Sequence, residues 1–120
     1  MGKRKKQLNE FINGMKELNK HNPEQIDGFN GLLRAQLKEG ILDFQTKELI
    51  CVALACLTRC EYCIVYHAHC AIKAGIKAEE LIEAAMVSVI FGGGPTMSYI
   101  STILNECIKE FTNEECESIE

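Results

Sequence analysis

Apolar residues recur at helical spacing along nearly the whole chain. Leu8, Phe11, Ile12, Met15 and Leu18 form one stripe, and Ile26, Phe29, Leu33 and Leu37 form a second. His21-Asn22-Pro23 ends the first, with Pro23 placed to open the next helix, and Gly40 is the expected close of the second. Asp43 is the expected N-cap of a third helix, apolar almost all round from Leu49 to Leu57. A helix without a polar face is expected to be covered on all sides, at the centre of the domain or within a larger assembly. Thr58-Arg59-Cys60-Glu61 matches a capping box, with Thr58 as N-cap and Glu61 reaching back to it. That predicts a chain reversal and a fourth helix from about Arg59 to Ala74, closed by Gly75. Leu81, Ile82, Ala85, Met86, Val89 and Ile90 stripe a fifth helix. Pro95 opens a sixth, carrying Ile100, Ile103, Leu104, Cys107, Ile108 and Phe111. No run of alternating β-branched residues competes. The expected fold is all-α, about six helices in a single domain over residues 1–120.

Bulk properties narrow the function classes. The chain has 120 residues, 47% of them hydrophobic and 25% charged, the profile of a soluble globular domain with a core of its own. A net charge of −4 argues against nucleic acid as the main partner. Lys3-Arg4-Lys5-Lys6 reads as a solvated, frayed terminus. No apolar segment of secretory type follows it. Residues 84–105 carry no charge, but Gly92-Gly93-Gly94-Pro95 interrupts them, so core rather than a membrane span is expected. The glycines lack the Gly-Lys-Ser/Thr continuation of a phosphate loop and read as a helix–helix turn. Seven cysteines without a secretory signal point to the cytoplasm, where a CxxC is catalytic or metal-binding more often than structural.

The chemistry concentrates in Cys60-Glu61-Tyr62-Cys63-Ile64-Val65-Tyr66-His67. A cysteine reacts as thiolate and needs a neighbour that takes or stabilises its proton. Cys63 and His67 are i and i+4 on one helix face, within side-chain reach. Cys60, one turn earlier, is placed to close a disulfide with Cys63. We therefore assign Cys63 as the attacking thiol, Cys60 as the resolving thiol and His67 as the base; the reverse order of thiols stays open. Glu48 is the candidate partner of His67. On one continuous helix Glu48 and Cys60 would stand about 18 Å apart. They come together only if the chain reverses near Thr58.

Glu48, eleven residues, Cys60-x-x-Cys63, three residues and His67 together resemble the signature of the alkylhydroperoxidase D-like branch of the carboxymuconolactone decarboxylase family. The resemblance continues through Ala74-Gly75 and Phe91-Gly92-Gly93-Gly94-Pro95, covering residues 43–98. It implies an all-helical domain that assembles as trimers or hexamers. It also implies a peroxidase in which Cys63 attacks, Cys60 resolves, and His67 and Glu48 relay protons. Tyr62 departs from members that place a histidine between the cysteines.

Rival readings can be stated for the same residues. Two cysteines on one helix can simply be small core hydrophobes. A zinc site on Cys60, Cys63, His67 and Cys70 is limited by the rise of about 15 Å between Cys60 and Cys70, so at most three of them could share an ion, completed by Glu48 or another subunit. His69 and His21 read as packing or surface residues. Cys51, Cys56, Cys70 and Cys107 read as packing, and Cys116 as part of an acidic, frayed tail. The expectation is a cytoplasmic thiol-dependent peroxidase or disulfide oxidoreductase with no bound cofactor or metal. It would be a homo-oligomer using a small peroxide or disulfide substrate and an external dithiol reductant, with no nucleic-acid or membrane partner. The alternatives are a lyase on a small acid or lactone, made less favourable by the scarcity of arginines (Arg4, Arg34 and Arg59), and a non-catalytic metal-binding module.

Overall fold

The computed structural model describes residues 2–119, with side chains through residue 114. Helix α1 spans Lys3–His21, α2 Pro23–Leu37, α3 Phe44–Leu57, α4 Glu61–Lys73, α5 Ala78–Val87 and α6 Val89–Tyr99. A π-helical turn over Ile100–Leu104 carries α6 straight into α7, Asn105–Ile119. The six-helix expectation holds, with the last helix longer than its stripe. No strand occurs among the described residues, and none of their helices is long and apolar enough to cross a membrane. Cys116 falls in the stretch of α7 whose side chains lie outside the described residues.

The core gathers where α3, α4, α5 and α7 meet, around Val52, Cys56, Ile64, Val65, Leu81, Leu104, Cys107 and Phe111. α3 starts as expected, with the Asp43 carboxylate accepting the Thr46 N–H at 2.7 Å. The Thr46 side chain, and then this backbone bond, hold the Asp43 carboxyl below its usual range. Pro23 opens α2, but α2 ends at Leu37, before Gly40. Within the single chain α3 is covered on one side: Val52, Ala55 and Cys56 are buried, while Ile50 and Leu54 are about half exposed.

The reversal between α3 and α4 is real, but its device differs from the expected capping box. Thr58 ends α3 rather than beginning α4, and its hydroxyl donates back to Leu54 O at 2.9 Å. Arg59 then takes a positive φ of 55°. The Cys60 N–H donates to Ala55 O and the Arg59 N–H to Cys56 O. This is a Schellman closure with arginine where glycine is the usual occupant. The same pattern ends α4, with Ile76 N–H donating to Ala71 O, Gly75 N–H donating to Ile72 O and Gly75 at a φ of 89°. At the far end of the core, Gly93 at a φ of 59° breaks α6 two residues before Pro95. A Cβ on Gly92 would collide with Thr96 Oγ1 and come within 2.9 Å of Leu57, so glycine lets this turn press onto α3.

The basic N-terminus is not frayed. Arg4 is buried; its guanidinium donates to Gln7 Oε1 at 2.7 Å and Glu61 Oε2 at 2.9 Å, and its Nε lies 3.4 Å from Glu106. The backbone N–H groups of Arg4 and Lys5 both donate to the Glu110 carboxylate. The clasp ties α1 to the first turn of α4 and to α7. Glu61, freed from any capping box, is its acceptor. Its carboxyl is held low, mainly by the Gln7 hydrogen bond and then by Arg4.

Candidate active site

The start of α4 sets the thiol geometry. Cys60 is the N-cap residue, and its Sγ accepts the Cys63 N–H at 3.3 Å. The two sulfurs lie at disulfide distance, with Cα atoms 5.2 Å apart. Cys63 is exposed and Cys60 partly so. A sulfur receiving an amide at a helix N-terminus is favoured as thiolate by that bond and by the helix dipole.

Both cysteines open onto a cavity of about 750 Å³ between α1, α2 and α4. Phe11, Ile12 and Met15 line it from α1, Ile26, Phe29 and Leu33 from α2, and Tyr62, Tyr66 and His67 from α4, with Lys16 and Lys20 also in its wall. The apolar stripe of α2 thus contributes a wall of the cavity. Tyr62, which stands between the cysteines, donates its hydroxyl to Glu10 at 2.7 Å.

The side-by-side packing of α3 and α4 brings Glu48 to His67. The carboxylate is fully buried, and its oxygens lie 3.2 and 3.3 Å from His67 Nδ1. Burial on its own would lower the basicity of His67, but hydrogen bonding from Cys51 and Glu48 outweighs it and pushes the pKa up to about 9. A pKa raised in this way favours the protonated ring near neutral pH, so His67 can give a proton as well as take one. It stands one helical turn from Cys63, and both line the cavity.

Sequence reasoning missed Cys51. One ligand atom from each of Glu48, Cys51 and His67 lies within 4.8 Å of the others. The signal was legible, since Glu48 and Cys51 are i and i+3 on one helix. Cys70, also read as packing, belongs to the same neighbourhood: burial, then the charge of Glu48, pushes its thiol up to about 11. Tyr66 is raised to about 12 by burial and then by Cys70. Cys56 and Cys107 are core thiols, raised by burial to about 11 and 12. His69 packs edge-on against Phe111, within 4.0 Å of Glu114, away from the cavity.

The sequence profile of the carboxymuconolactone decarboxylase family matches residues 23–106. An uncharacterised protein of Cupriavidus necator is 32% identical over 100 residues, covering 83% of this chain and 88% of its own. A family member from Legionella pneumophila has a solved structure with a TM-score of 0.86 and 36% identity, over 91% of this chain and 96% of its own. A Thermotoga maritima member with a possible part in antioxidative response superposes with a TM-score of 0.78 at 26% identity, over 91% and 95% of the two chains.

Proposed function

The chain belongs to the carboxymuconolactone decarboxylase family, and we propose that it works there as a thiol-dependent oxidoreductase that reduces peroxides or disulfides. One observation carries the reading: Cys60 and Cys63, at disulfide distance, and His67, backed by buried Glu48, all line one cavity.

In the reduced enzyme the exposed Cys63 thiolate attacks the distal oxygen of a hydroperoxide. The O–O bond breaks, Cys63 becomes a sulfenic acid, and the departing alkoxide takes a proton from the His67 imidazolium to leave as alcohol. Cys60 thiolate then attacks the Cys63 sulfur and displaces hydroxide, which leaves as water after taking a proton, giving the Cys60–Cys63 disulfide. An external dithiol returns two electrons by attacking Cys63. Cys60 is the better leaving group because its sulfur accepts the Cys63 amide at the helix N-terminus. Glu48 holds the imidazolium in place from below. A disulfide substrate enters by the same attack, with a thiolate leaving in place of the alkoxide. The Thermotoga maritima relative's possible antioxidative part supports this class of chemistry. Assembly into a homo-oligomer belongs to the proposal, supported by apolar Ile50, Leu54, Ile90 and Phe91, all exposed on the single chain.

The test is a substoichiometric peroxide titration of the reduced protein, locating the oxidised cysteines by peptide mass spectrometry. The expected result is a selective Cys60–Cys63 disulfide, formed at least ~100-fold more slowly in His67→Ala and also slowed in Glu48→Gln. Slow oxidation scattered over all seven cysteines and indifferent to both substitutions would refute it.

A further inference from the structure

Cys51 is the one member of the buried cluster to which the thiol chemistry gives no task. It stands on α3 three residues beyond Glu48, and a ligand atom from each of Glu48, Cys51 and His67 lies within 4.8 Å of the other two. The carboxylate is fully buried and the other two groups are half-buried. A carboxylate, a thiolate and an imidazole form a mixed oxygen, sulfur and nitrogen set that borderline-soft zinc accepts. Calcium and magnesium require oxygen ligands in greater number than a single carboxylate supplies.

We propose that Glu48, Cys51 and His67 form a Zn²⁺ site with three protein ligands and an open fourth position. Tetrahedral zinc with bonds of about 2.0–2.3 Å holds its donors about 3.5 Å apart. The Glu48–His67 pair already stands at 3.2–3.3 Å. The thiol lies within 4.8 Å of both, so it has to close in by at most ~1.3 Å, within the reach of a side-chain adjustment. The site takes no ligand from Cys60 and Cys63, which are joined to each other, so metal binding can be tested in a variant that lacks the thiol pair. It does share Glu48 and His67 with the relay, so a bound ion and the proton relay exclude one another.

Reduced, chelator-stripped protein is titrated with Co²⁺ and then with Zn²⁺ as wild type, Cys60→Ser/Cys63→Ser, Cys51→Ser and His67→Ala, with circular dichroism checking the helices. Wild type and the double variant are each expected to take one Co²⁺ per chain with a thiolate-to-cobalt charge-transfer band, which Zn²⁺ abolishes. Cys51→Ser is expected to lose the band, and both it and His67→Ala to bind Zn²⁺ at least ~10-fold more weakly. A band lost in the double variant but kept in Cys51→Ser would put the ion on the thiol pair and overturn the proposal. No band in wild type would overturn it equally. Should Cys51→Ser fail to fold, Glu48→Gln is read in its place, with weakened Zn²⁺ binding expected and unchanged binding refuting the site.

Discussion

Helices α2 and α3 are almost equal in length, 15 and 14 residues, and both carry apolar residues at helical spacing. α3 buries Glu48, Val52, Ala55 and Cys56, whereas α2 buries nothing. Ile26, Phe29 and Leu33 of α2 line the cavity. A helical stripe therefore does not by itself mark a buried face: Phe29 is 53% exposed. α3 has neighbours on its inner side that desolvate its charge and its thiols. α2 contributes a wall, so its side chains bear on what enters the cavity, while those of α3 bear on folding and on the proton.

The largest effect that tests this division is on chemistry. Cys63→Ser is expected to slow single-turnover peroxide reduction by at least ~1000-fold. Phe29→Ala on α2 should leave the chemical step intact and raise the substrate concentration needed for half-saturation several-fold. An equal loss of rate in both would erase the distinction. Next comes stability, read by urea denaturation. Val52→Ala on α3 is expected to cost about 2–3 kcal/mol. Leu32→Ala on α2, at a residue 59% exposed, should cost under ~0.5 kcal/mol.

The third effect is pH dependence. His67 ionises near 6.5 when unfolded and near 9 when folded, so the folded state holds its proton more tightly. The stabilisation is full below pH 6.5, declines as pH rises, and is lost above about 9. A fall of about 3 kcal/mol across that window is expected, and Glu48→Gln should flatten it. An unchanged slope in that variant would leave Cys51, and not Glu48, as the group that sets it. The smallest effect concerns the way α3 ends. Arg59 adopts the left-handed conformation that Gly75 adopts at the end of α4. Arg59→Gly is expected to stabilise the fold by about 0.5–1 kcal/mol in thermal unfolding, because glycine meets no Cβ penalty there.

Much of this molecule is written locally. Helix class, the Asp43 cap, the Pro23 start, the Gly75 stop and the break around Gly93 each depend on a few neighbouring residues, whose preferences act through backbone dihedrals and a single hydrogen bond. The spacing of Cys60, Cys63 and His67 was legible for the same reason, since one turn of helix sets their reach, whereas Glu48 joins them only through the reversal between α3 and α4. Other features were decided only by packing. The arginine-capped end of α3 has no local signature, because Arg59 tolerates its strained conformation only where the two packed helices require the turn. The burial of Arg4 needed carboxylates from Glu61 and Glu106, distant in sequence. The raised pKa of His67 needed Glu48 and Cys51 delivered from another helix into a partly buried site, where opposite charges interact more strongly than in water. Sequence alone determined which side chains can reach one another along a helix. Tertiary structure decided which of them lose their water together, and that loss sets their charge.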